Sequence, residues 1–362
     1  MGSSPYWRDP MACDECDKCR AMGYKFCNKC GQNFSEESDE PEPESTVSPN
    51  ESLLIKSVYP AMFIILVAIV IDLVLLVVNF GTTFDWVEDK TTKLYIFITD
   101  FIVFAKLTET GIQLLWVFIT FMLLFCGGIV LYRSRSILID FKDNYMEKVK
   151  ETPVYWLGMT LGASIVIQLI IMLILNAMGV STPTPSELKD LTIEKATFLF
   201  SEAAVIEELT MRVFWMGIPM ALVALFCGRK DFLKNLWGGF GASKVSILFL
   251  FISTIIFAYA HVGGWGMWKM FPVFAGGLCM GYLYMRFGLH ASIIFHMIND
   301  YLGVWLVAIP TFGSILEILI ILTGVVCIPV LFKRGWEGLR AIKGLPVTGY
   351  ETQDESSDSN TD

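Results

Sequence analysis

Glu202, Glu207, Glu208 and Arg212 stand inside an apolar stretch, SEAAVIEELTMRVFW. Further along, His261 closes IIFAYAHVGG, and His296 and Asp300 lie four apart in GLHASIIFHMIND. Within apolar runs long enough to span a bilayer, each ionised side chain costs at least ~2.5 kcal/mol unless it finds a partner, so these residues are functional candidates by default. Glu208 and Arg212, four apart, share a helical face and can form a charge-neutral pair. Glu207 is rotated about 100° from Glu208 on a regular helix and faces elsewhere. A carboxylate in a dry pocket can take a proton from water. Imidazole with a short polar side chain can steady the oxyanion that forms when a carbonyl is attacked. The chemistry these residues suit is therefore activation of water, with Glu207, His261 and His296 at its centre. The competing reading, a set of polar contacts holding membrane helices together, fits Glu208 and Arg212 best. Glu202, five residues before Glu207, and His290, six before His296, face other directions and are left out of the site.

A bilayer crossing needs about 20 apolar residues in a helix. Runs of that kind fall near 58–80, 110–132, 154–179, 196–226, 245–262, 267–285, 289–309 and 312–332. The composition agrees: 54% of the 362 residues are hydrophobic and 17% charged, too little charge to cover a soluble globule of this size. The expected fold is an all-α, polytopic membrane bundle of about eight transmembrane helices, filling 56–335, with the reacting groups in a core of about 150–335. The run from Leu94 to Phe104, interrupted by Asp100, is too short to cross and is expected at the interface or as an extension of the second helix. With the N-terminus inside, cytoplasmic loops and ends hold fourteen Lys and Arg residues and the outer segments six. That bias predicts a multi-pass protein of the cell membrane with both termini cytoplasmic. The net charge of −9 comes largely from the two ends, including a polar tail over 336–362, and argues against nucleic acid as a partner. No N-terminal signal peptide is visible, because the first long apolar run begins near residue 58.

Ahead of the bundle, Cys16-x-x-Cys19 and Cys27-x-x-Cys30 form two knuckles whose spacing lets four thiolates meet one tetrahedral zinc ion. Cys13, three residues before Cys16, could compete as a ligand, and a disulfide pair is the alternative. Residues 1–34 cannot bury a core of their own, so a structural Zn2+ would supply the folding energy. The segment resembles a zinc ribbon, and a protein partner for it is possible on that basis. Residues 35–55, acidic and rich in Pro and Ser, read as a disordered linker.

Three motifs in order carry a resemblance: Glu207-Glu208-x-x-x-Arg212, Phe257-x-x-x-His261 and His296-x-x-x-Asp300. Piece by piece they resemble the intramembrane CAAX-protease and bacteriocin-processing family, called CPBP or ABI, which includes the type II CAAX prenyl endopeptidases. The resemblance implies that Glu207 and His261 activate the attacking water, that His296 and Asp300 support the oxyanion, and that Glu208, Arg212 and Phe257 support the site. Two departures stand out: Val213 follows the arginine where many relatives carry glycine, and Asp300 stands where many carry asparagine. HExxH is absent, and the resemblance favours a glutamate-dependent reaction without a catalytic metal. It further implies an endopeptidase acting on a prenylated CAAX-type or other membrane peptide, with membrane lipid as its surroundings. A non-catalytic scaffold or bacteriocin-immunity protein of the same family is the alternative, and damaged motifs would mark it; here the motifs are intact. A transporter would show inverted repeats, and no repeated pattern is visible.

Overall fold

The computed structural model describes residues 49–95, 103–139, 145–185, 188 and 190–342. Cys16, Cys19, Cys27 and Cys30, and with them the expected zinc ribbon, lie outside the described residues.

Eight apolar helices follow in the order read from the sequence. They are α1 (Tyr59–Val78), α2 (Thr110–Arg133), α3 (Pro153–Ala177), α4 (Ile193–Phe226), α5 (Lys244–Ala260), α6 (Met270–Arg286), α7 (Leu289–Ala308) and α8 (Pro310–Ile342). Seven are long and apolar enough to cross a membrane. α6 has 17 residues, at the lower end of what a crossing needs. Large apolar side chains stay exposed along the outer faces, including Val67, Val70 and Val74 of α1, Phe121 and Phe125 of α2, and Ile318, Leu322 and Val325 of α8. Such faces suit lipid, and the chain is a multi-pass membrane protein.

Local signals set several starts. Thr152 accepts from Tyr155 N–H ahead of α3, with Pro153 in the first turn. Ser243 and Ser246 cap each other ahead of α5 in a reciprocal box. Gly288, at φ 107°, makes the tight turn that separates α6 from α7. Where α3 crosses α8, small residues let the backbones meet: a Cβ on Gly162 would stand 2.9 Å from Gly324 Cα. α7 is the most enclosed of the seven candidate spans and packs against α1, α2, α3, α4, α6 and α8. Its buried polar residues must therefore find partners among those neighbours.

Three expectations need correction. The Leu94–Phe104 run does not extend α2. Its described part belongs to an antiparallel hairpin, β1 (Thr91–Tyr95) with β2 (Val103–Thr108), pairing Thr91 with Thr108 and Lys93 with Lys106. β-Branched Thr91, Thr92, Val103 and Thr108 favour strands, and Glu109, at φ 43°, breaks the path from β2 into α2. The linker expected over 35–55 gives way earlier to a helix, Pro49–Ser57. Glu51 there is held by Arg334 and by Lys333 at 3.3 Å. Finally, α8 runs on to Ile342, past the expected boundary at 335, with Arg334 and Glu337 paired at 3.0 Å one turn apart.

Candidate active site

The EExxxR motif lies on the irregular middle of α4. Ala203–Glu207 and Leu209–Gly217 are π-helical, flanked by α-helical Ile193–Glu202 and Ile218–Phe226. A π-turn closes on the fifth residue instead of the fourth, so it is wider and each residue rotates less. The expected 100° between Glu207 and Glu208 narrows only slightly, and both carboxylates reach α7. They reach opposite sides of one ring: Glu208 Oε1 lies 3.2 Å from His296 Nδ1, and Glu207 Oε2 lies 3.8 Å from His296 Nε2. Glu207 was expected to be free to look elsewhere than Glu208; the two carboxylates instead reach opposite nitrogens of the same ring.

Glu207 Oε2 is also 3.8 Å from His261 Nε2. The three residues expected at the centre of the chemistry thus converge from α4, the end of α5 and α7. His261 Nδ1 lies 2.9 Å from the Phe257 carbonyl, which only accepts, so the proton sits on Nδ1 and Nε2 turns toward Glu207. The Phe257 ring packs edge-on against His261, with centroids 4.8 Å apart, and against His296 at 6.1 Å. Phe257 therefore orients both imidazoles, one through its carbonyl and both through its ring.

Beneath lies a fully buried support. Arg212 Nε donates to Glu208 Oε2 at 2.9 Å, and its Nη1 donates to Ser253 Oγ at 3.0 Å. Ser253 in turn donates to the Met211 carbonyl at 2.6 Å, and Ser292 donates to Glu208. Glu208, ion-paired with Arg212, acts as an acceptor, so its contact with His296 needs a proton on Nδ1. His296 Nε2 then donates to anything else only when the ring carries both protons. Asp300 Oδ2, 3.4 Å from that same nitrogen, stabilises such a ring, while Asp300 Oδ1 accepts from Asn299 at 3.0 Å. Side-chain exposure rises from 0% at Arg212 and Glu208 through 7% at His296 to 35% at Glu207. The site therefore opens on the Glu207 side and is sealed on the arginine side.

Ser253 and Ser292 were missed, although a signal existed. Ser253, Phe257 and His261 stand four apart on α5, and Ser292, His296 and Asp300 stand four apart on α7, each forming a ladder on one helical face. Asp72 was missed as well: buried on α1, it accepts from Trp305 Nε1 at 2.7 Å and ties α1 to the helix carrying His296. Glu202 accepts from Thr92 of the hairpin at 3.4 Å. His290 lies apart, its Nε2 3.0 Å from Arg133 and its ring stacked on Trp237. Among the described residues no group of three or more His, Cys, Asp or Glu has the geometry to hold a metal ion.

Comparison with known families adds one finding. Residues 192–302 match the family model described as type II CAAX prenyl endopeptidase Rce1-like. The matched segment runs from the start of α4 to Leu302 of α7 and includes Glu207, Glu208, Arg212, Phe257, His261, His296 and Asp300. It covers under a third of the chain and supports a place for that part in a family of membrane proteases. No curated protein and no solved structure matches the chain.

Proposed function

We propose that the protein is an intramembrane endopeptidase of the CAAX-protease type, which hydrolyses a peptide bond in a prenylated or membrane-embedded substrate. The observation that carries this reading is the placement of Glu207 Oε2 at 3.8 Å from both His261 Nε2 and His296 Nε2. Among the described residues that oxygen has no hydrogen-bond partner, and 3.8 Å is too long for a direct bond to either ring. A water bound there would contact Glu207 and His261 Nε2 together. Glu207 would take a proton from this water as its oxygen adds to the scissile carbonyl. The new oxyanion would accept from His296 Nε2–H, with Asp300 steadying the charge on the ring. Collapse would break the C–N bond, and the departing amine would take the proton from Glu207, leaving a carboxylic acid and an amine. Glu208, Arg212, Ser253 and Ser292 hold the rings and touch no substrate in this scheme. We also propose that Cys16, Cys19, Cys27 and Cys30 bind a structural zinc ion.

The test is cleavage by the full-length protein in lipid nanodiscs, followed by mass spectrometry, of a farnesylated CAAX peptide, the same peptide unprenylated, and an unrelated membrane peptide. Cleavage of the farnesylated peptide at the cysteine, well above that of the others, is expected. Cleavage of none of them would overturn the peptidase reading, and a preference for the unrelated membrane peptide would overturn the CAAX part of it.

A further inference from the structure

The proposed reaction places a water, and then an oxyanion, between Glu207 on α4 and His296 on α7, so the spacing of these two helices governs it. Two hydrogen bonds join the helices on either side of the reacting groups. Glu208 Oε1 lies 3.2 Å from His296 Nδ1, and Ser201 Oγ lies 2.8 Å from the Tyr301 hydroxyl. Along α4 Glu207 falls between Ser201 and Glu208, and along α7 Asp300 falls between His296 and Tyr301. The first bond is part of the support around Arg212; the second involves no motif residue. Beside it the α7 backbone lies against an α4 side chain, since a Cβ on Gly303 would stand 3.0 Å from the Phe200 ring. One turn beyond Tyr301, Trp305 Nε1 donates to Asp72 at 2.7 Å and holds α7 against α1.

Ser201 and Tyr301 are fully buried, and among the described residues each hydroxyl's hydrogen bond is to the other. Such a pair adds little net stability. Replacing both members, by Ala and Phe, leaves apolar groups of nearly the same shape and no orphaned donor. What a buried polar pair supplies instead is register, because it is satisfied in one alignment of the two helices and not in its neighbours. Register matters here. Between the two bonds α4 has seven residues to the five of α7, and the π-helical Ala203–Glu207 lies within the longer stretch. π-Turns are rare and recur at functional sites, so this one needs contacts on both sides to hold it. A slip of α4 along α7 would alter both 3.8 Å separations at Glu207 Oε2, to His261 and to His296.

We propose that Ser201 and Tyr301 are positioning residues: their hydrogen bond locks α4 against α7 and so sets the distance from Glu207 to His296, without touching substrate. This rests on the peptidase reading above and names what holds its reacting groups in register. The experiment measures kcat and KM for the farnesylated peptide in nanodiscs, per folded protein, for wild type, Ser201→Ala, Tyr301→Phe and the double variant, with melting temperatures recorded for each. Each single change orphans one buried hydroxyl and the double change orphans none, so the melting temperature should fall in the single variants and return toward wild type in the double. Misplacement of Glu207 by a fraction of an ångström corresponds to roughly a 10–100-fold fall in kcat, which is expected in all three variants with KM nearly unchanged. The double variant is thus expected to be stable and slow. A double variant that regains wild-type kcat along with its melting temperature shows a merely structural bond and overturns the assignment, as does wild-type kcat in either single variant; both results leave the peptidase reading intact. Absence of cleavage by wild type overturns both.

Discussion

At the scale of single residues, the proposed division between reacting and supporting groups follows burial. Glu208 and Arg212 are sealed, and their ion pair serves mainly to fix His296 by its Nδ1 side. Arg212→Met would leave an uncompensated buried carboxylate, at a cost of about 3–5 kcal/mol. The expected outcome is a marked loss of thermal stability and of folded protein in detergent, with activity lost as a consequence. A stable but inactive Arg212→Met protein would instead put the arginine among the reacting groups. Much of this was legible in the letters, because EExxxR, FxxxH and HxxxD already distribute charge over three helices. Ser253 and Ser292 were legible in principle from their four-residue spacing.

At the scale of elements, the spans were readable because a bilayer crossing demands a long apolar run, and little else in a sequence looks like one. The π-helical middle of α4 was not readable, since its residues would suit a regular α-helix equally well, yet it carries the EExxxR motif whose two carboxylates meet one imidazole. The hairpin escaped because an apolar run of that length suits strand, interface helix or helix extension alike. Helix packing offers a direct check at this scale. On α8, a Cβ at Gly324 would collide with the Gly162 backbone of α3, whereas at Gly335 it would meet open space. Gly324→Ala is expected to cost about 1–3 kcal/mol through overpacking, while Gly335→Ala leaves the melting temperature near that of the wild type. Equal melting temperatures for the two variants would contradict the close crossing of α3 and α8.

At the scale of the whole molecule, orientation follows from charge bias and remains a proposal: both ends inside, with Lys234 on the cytoplasmic side and Lys90 outside. An epitope inserted beside Lys234 should be detected only after cells are permeabilised, and one beside Lys90 in intact cells. The reverse pattern would invert the topology and the side from which substrate arrives. All of these readings depend on Glu207 acting as the base for water. Glu207→Gln keeps the size of the side chain and removes only that capacity, which makes it the most direct test. The measurement is the rate of cleavage of the farnesylated peptide by wild type and Glu207→Gln in nanodiscs, with melting temperatures recorded in parallel. The expected result is a fall of roughly 10²–10⁴-fold, the usual scale of general-base catalysis, with the melting temperature nearly unchanged. A Glu207→Gln protein that cleaves at the wild-type rate would contradict the account.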